Sequence, residues 1–180
     1  MRTVGWICVL GLGCEGEDSK PAAIDGFYEV TLRTHSDADC EVEGDPADGA
    51  PYFQVTEEEF FAKFYAYGEC TSDDQTTCSS MGIFGVVFSE PHGDTWEGRS
   101  SAAFGMDPCT LQYDETLAAT DGDVLHVEMR RWGEEDASLT GDACSADEAQ
   151  ARGDSMPCLG FDVVEGTRIA DAVEPPEYDY

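Results

Sequence analysis

Cys109-Thr-Leu-Gln-Tyr-Asp-Glu-Thr-Leu-Ala-Ala-Thr-Asp-Gly-Asp-Val-Leu-His-Val-Glu-Met-Arg130 is the stretch on which the fold turns. Leu111, Tyr113 and Leu117 alternate with Gln112, Asp114 and Thr116; beyond Asp121-Gly122, Leu125, Val127 and Met129 alternate with His126, Glu128 and Arg130. Successive side chains of an extended strand point to opposite faces, so period two on both arms predicts two strands. Asp-Gly between them suits a tight hairpin turn, because glycine tolerates the positive φ required there.

Working outward, similar patterns predict about eight strands in all. Their positions are 26–34, 51–55, 59–67, 81–89, 95–105, 109–118, the arm after Gly122, and 159–168. One helix is expected over 146–152, where Ser145 and Glu148 form a capping box and Gly153 supplies the stop. The fold class is therefore all-β: an antiparallel up-and-down barrel of about eight strands with a short helix before the last. A two-sheet β-sandwich is the alternative.

At the N-terminus, Arg2 precedes the apolar run Val4–Gly13, and Cys14 is followed by Glu15-Gly-Glu-Asp-Ser. The run is too short to span a bilayer and fits the core of a signal peptide. Residues 1–13 are read as signal peptide, 14–25 as an acidic tether, 26–170 as one β domain and 171–180 as a flexible acidic, Pro-containing tail. Cys8 and Cys14 lie in the leader, which leaves Cys40, Cys70, Cys78, Cys109, Cys144 and Cys158. An even set behind a signal peptide implies three disulfides and an oxidising compartment. Six cysteines allow fifteen pairings. Proximity along the chain favours Cys70–Cys78 and Cys144–Cys158, with Cys40–Cys109 left by elimination. In a meander all six fall in alternate connections, which places them at one end of the sheet.

A small residue before a cysteine behind an apolar run, here Gly13-Cys14, resembles the lipobox of bacterial lipoproteins. That resemblance implies acylation of Cys14 and an anchor in the cell envelope, at the outer membrane or on the periplasmic face. Without acylation the chain would be secreted. Gly26-Phe27-Tyr28 at the start of the first strand is similar to the Gly-x-Trp of lipocalins, with Tyr28 in the Trp place. Lipocalins are eight-stranded barrels holding apolar ligands, although their helix follows the eighth strand. The lipobox segment, the first strand, Leu139–Ala149, Met156-Pro-Cys158 and Glu165-Gly-Thr-Arg168 together resemble lipoproteins of large-genome Gram-negative bacteria. This resemblance implies a location and a fold, not an activity.

Charge narrows the partners. Asp+Glu number 39 against nine Lys+Arg, a formal net charge of −30, which repels nucleic acid and anionic lipid. Membrane contact is expected through the N-terminal lipid alone. The familiar hydrolase and metalloprotease motifs are absent from the sequence, as is a Gly-rich phosphate loop. Glu57-Glu58-Glu59 reads as solvated charge rather than a catalytic pair. Asp37, Asp39, Glu41 and Glu43 around Cys40 suggest at most weak calcium binding, because the EF-hand spacing is missing. His35 and His92 fall at opposite ends of the sheet, and His126 falls on a polar face. No catalytic residue, resident metal or cofactor is expected. Trp96 and Trp132, with Phe84 and Phe104, are expected to pack as core aromatics, a ligand cavity being the alternative. The reading is a monomeric, exported binding or interaction module whose partner is an unknown protein or a small apolar ligand; a hydrolase without a known motif is the further alternative.

Overall fold

The computed structural model describes residues 21–37, 39–59, 61–79, 86–105 and 108–173. The signal segment, Cys14, residues 81–85 of the expected fourth strand and the last part of the tail lie outside them. Among the described residues ten strands form one antiparallel sheet. They are β1 (Gly26–Ser36), β2 (Asp45–Pro46), β3 (Tyr52–Glu59), β4 (Lys63–Cys70), β5 (Val86–Phe88), β6 (Glu90–His92), β7 (Thr95–Phe104), β8 (Cys109–Asp121), β9 (Val124–Asp136) and β10 (Cys158–Ala170). Nine lie in one path, β5-β4-β3-β1-β10-β9-β8-β7-β6, with the two-residue β2 paired to β1.

The path is a meander rolled into a nearly closed barrel. The first and last strands pair with each other, Phe27 opposite Ala170 and Ser36 opposite Phe161. The remaining seam falls at residues 86–92, where the end of the expected fourth strand (86–88) is followed by a second short strand in what was expected to be a turn. Val86–Phe88 pairs with β4, while Glu90–His92 pairs with β7. Between the two, the Ser89 amide donates to the Glu97 carbonyl at 2.8 Å. Rolling the sheet up this way removes most exposed edges.

The hairpin that began the reading forms in full register, from Cys109 opposite Asp136 to Asp121 opposite Val124. Gly122 takes φ +62° at its tip. Helix α1 (Ala146–Arg152) starts where Ser145 accepts a bond from the Glu148 amide, and Gly153 ends it at φ +51°. It packs outside the barrel, over β7 and β8. Beneath it a small outer core holds Leu111, Tyr113, Trp132, Ala149 and Met156. Arg152 fastens the helix to β9, meeting Glu134, Asp136 at 3.1 Å and its own Glu148 at 2.8 Å.

The main core fills the lower half of the barrel with Tyr28, Phe53, Tyr65, Phe88, Trp96, Leu125, Val127 and Val164. Two features close that end. Gly166 lets the Phe53 ring lie across the β10 backbone, where an added Cβ would stand 2.5 Å from the ring. The segment 21–25, read from sequence as part of the tether, serves as a plug. Ile24 is buried in the core, Trp96 Nε1 donates to the Ala22 carbonyl at 2.8 Å, and the Tyr28 hydroxyl donates to the Ile24 carbonyl at 2.8 Å.

The disulfides are Cys40–Cys158, Cys70–Cys78 and Cys109–Cys144. The expected Cys144–Cys158 and Cys40–Cys109 bonds are not made. Closure of the barrel is the reason. It sets the start of β10 beside the end of β1, so Cys40 reaches Cys158; Cys109 lies opposite Asp136 at the end of β9, and Cys144 follows in the next loop. Chain proximity misleads wherever a sheet joins its own ends. The single cysteine-rich end also divides. Cys70 shares a hydrogen-bonded row with Tyr52, Glu29 and Thr167, far along β10 from Cys158. Gln75, in the loop that Cys78 closes, bonds Asp171 and Val173 just past the end of β10. Strands in a barrel tilt and stagger, so connections on the same side of a meander need not sit at one height.

Candidate functional site

Three interior rows, read across β7, β8, β9, β10 and β1, define a site in the upper half of the barrel. The lowest row is Trp96, Ala118, Val127, Val164 and Arg33. Above it come Gly98, Thr116, Met129, Asp162 and His35. The third is Ser100, Asp114, Arg131 and Gly160. Members of a row share a face because antiparallel partners point the same way. The upper two rows, with Val86 and Gln112, line a cavity of about 320 Å³. That lies at the small end of the usual range for ligand sites. Its lining is mixed: Met129 and Val86 are apolar, while Asp162, His35, Asp114 and Arg131 are charged.

Alternation located the two faces of β8 but not their assignment. Leu111 and Tyr113 face outward, roofed by α1, while Gln112, Asp114 and Thr116 face the cavity. A covering helix on the outer surface reverses the usual apolar-inside rule locally. A further shift arises in β1, whose register slips between Val30 and Leu32. The bulge turns Arg33 and His35 inward, as bulges re-aim the residues beyond them.

Asp114 organises the mouth. Its carboxylate accepts from Arg131 Nε at 3.0 Å, Gln112 Nε2 at 2.9 Å and the Ser100 hydroxyl at 3.3 Å. On the opposite wall, His35 is held at both ring nitrogens. Asp162 lies 2.8 Å from Nδ1, and Asp37, on the loop after β1, lies 2.6 Å from Nε2. Those bonds, Asp37 first and then Asp162, hold the imidazole above its ordinary 6.5. Farther round, Arg33 Nη1 pairs with Glu69 at 2.6 Å. Its Nε and Nη2 and the Tyr67 hydroxyl are buried without a hydrogen-bond partner among the described residues, and burial pushes the Tyr67 phenol up.

The other candidates lie elsewhere. His126, on the outer face, sits 3.1 Å from both Glu128 and Glu165, which hold it above 6.5 against partial burial. His92 pairs with Glu97 in the β6–β7 hairpin at 3.0 Å. Glu57 meets Lys63 across the β3–β4 hairpin. Of the four acids around Cys40, Asp39 caps the amides of Glu41 and Val42, Glu43 accepts from Thr34, and Asp37 belongs to His35. Among the described residues no group of three His, Cys, Asp or Glu side chains is placed to hold a metal. Trp96 packs in the main core, Trp132 packs outside under α1, and Phe104 is half exposed; Phe84 lies outside the described residues.

Both perturbed histidines favour their charged form in the folded chain. Their stabilisation is complete below about pH 6.5, the unfolded value, and fades as pH rises through the raised folded values. Carboxylates are already ionised over this interval, so self-repulsion among them stays constant. The thermal midpoint is therefore expected to fall from pH 6 to pH 8. In a His35→Gln/His126→Gln variant the fall should flatten; an unchanged slope would show that other groups drive it.

No protein-family model matches this sequence, and neither the curated proteins nor the solved structures include a match.

Proposed function

We propose that this chain is an exported binding protein that holds a small amphipathic molecule in the open end of its barrel. The observation that carries the reading is that one cavity wall offers both kinds of contact: Val86, Met129 and Thr116 on one side, and the charged side chains of Asp162, His35, Asp114 and Arg131 on the other. A short apolar body would rest on Met129 and Val86 while its polar end reaches the mouth. A wholly apolar guest would shut the charged groups of the upper row away from water, and desolvating charge is costly. Binding is favoured over catalysis because carboxylates engage both nitrogens of His35, leaving the imidazole no lone pair with which to take a proton.

Export rests on the leader pattern of residues 1–13 and is supported by three disulfides outside it. Acylation of Cys14 would anchor the chain at the cell envelope, with residues 15–20 as the spacer before the plug. Intact-mass analysis of the membrane fraction should show a diacylglyceryl-Cys14 terminus.

For the binding site, the amide spectrum of the folded protein is followed during titration with hexan-1-ol, hexylammonium and hexanoate. At least one should produce saturable shifts centred on Gly98, Thr116, Met129 and Gly160. If none of the three moves those signals at millimolar concentration, the reading falls.

A further inference from the structure

Resting on that cavity reading, we infer that the ligand carries a carboxylate head, gripped between Arg131 and His35, and that Asp37 is a built-in competitor for the place. Three observations converge. First, Asp114 holds Arg131 by its Nε, the side of the guanidinium away from its two-pronged end. A guanidinium anchored this way presents its terminal nitrogens as a fork, the geometry that matches a carboxylate in two parallel bonds. Arg131 is half exposed at the cavity wall, where the fork has access to an entering molecule.

Second, Gly160 leaves open space beside the imidazole. It is the cross-strand neighbour of Arg131, and a Cβ added there would stand 3.3 Å from His35 Cε1. Any larger side chain would fill the space beside the imidazole. The chain has only nine Lys and Arg residues among 180, yet Arg99, Arg130 and Arg131 line this cavity together with His35, which sets the spot against the acidic surface around it.

Third, the imidazole already holds a carboxylate from the solvent side. Asp162, on β10, is part of the wall and fixes Nδ1. Asp37 comes from the connecting loop, its side chain 90% exposed, and reaches Nε2. An exposed loop carboxylate on a cavity histidine is chemically what an entering carboxylate would replace. The charged groups facing His35 are thus Asp37 from the loop and Asp162 from β10, with Arg131 of β9 across Gly160. Exchange of Asp37 for a ligand carboxylate leaves the charge on the imidazole balanced, and a cationic or neutral head offers no such replacement. The net charge of −30 repels polyanions far more than a small singly charged anion, which the cavity's cationic side chains can hold.

The test uses hexanoate at pH 6, with hexan-1-ol and hexylammonium as matched probes and heteronuclear NMR as readout. Hexanoate should bind at least about tenfold more tightly than either, as expected of a charge-assisted pair, and should shift the ring signals of His35. Arg131→Gln should weaken hexanoate about tenfold without weakening hexan-1-ol. Arg131→Lys, which keeps the charge but not the fork, should recover only part of the loss and guards against a folding defect in the Gln variant. Asp37→Ala should tighten hexanoate about threefold by removing the competitor. If hexan-1-ol or hexylammonium binds in the cavity and hexanoate does not, the carboxylate inference is overturned while the amphiphile reading stands. If no probe shifts the cavity signals, both fall. Hexanoate binding that is indifferent to Arg131→Gln and Asp37→Ala also overturns the inference.

Discussion

Replacing Cys40 and Cys158 together by serine is expected to lower the folding free energy by about 5 kcal/mol, the chain-entropy value for so long a loop. The bond spans 118 residues of sequence, against 35 for Cys109–Cys144 and eight for Cys70–Cys78. The same model gives about 4 and about 2.5 kcal/mol for the shorter two, so the three bonds should rank by span. The position of the longest bond adds to the effect. It lies beside the pairing of β1 with β10, the joint at which the first and last strands of the meander must find each other. Without the bond, that ladder closes against the freedom of nearly the whole domain. Urea unfolding of Cys40→Ser/Cys158→Ser and Cys70→Ser/Cys78→Ser, compared with the oxidised parent, measures the difference. Should the short-loop variant prove the weaker of the two, β1–β10 closure is not where covalent support matters most. Peptide mapping without reductant should recover the Cys40 peptide joined to that of Cys158.

The same joint marks the limit of what could be read from residues alone. Local signals carried far. Alternation placed β1, β8, β9 and β10; Asp121-Gly122 turned where expected; Ser145, Glu148 and Gly153 bounded the helix. Each of these is decided within a few residues of itself. The partner of Cys40 is decided by contacts such as Ser36 with Phe161, a separation that no local pattern encodes. The site was hidden for a related reason. Gln112, Asp114 and Thr116 look like a solvent face, and Leu111 and Tyr113 like a core face, until helix α1 is known to roof the latter. His35 sits on the cavity wall only because the bulge after Val30 changes which residues of β1 point inward. Periodicity gives two faces. Tertiary cover decides which one is inside.

Gly98→Ala is the substitution expected to act most sharply on the barrel seam. A Cβ at this position would stand 1.8 Å from the Val87 carbonyl oxygen and 2.6 Å from Thr116 Oγ1, far inside any tolerated contact. The oxygen it meets is backbone, which cannot swing aside like the end of a long side chain. Val87 would have to retreat, and with it the bond that the Thr116 hydroxyl donates to its carbonyl at 2.8 Å. That bond and the Ser89 amide to the Glu97 carbonyl hold this segment against β7 and β8. Overpacking at a tight contact and an unpaired carbonyl each remove about 1–3 kcal/mol, so a loss of about 2–5 kcal/mol is expected. Thr116→Val supplies the contrast, removing the hydroxyl without crowding the backbone, and should lose only about 1 kcal/mol. Hydrogen exchange at the Ser89 amide reads the seam directly. It should quicken strongly in Gly98→Ala and modestly in Thr116→Val. Parent-like protection at Ser89 together with an unchanged urea midpoint in Gly98→Ala would mean that the close approach of Val87 does not hold the barrel shut. Because Gly98 also lies in the middle row of the cavity, the same variant should weaken any guest resting on Met129. Seam and site would then fail together, as a barrel whose binding space is shaped by its own closing strand requires.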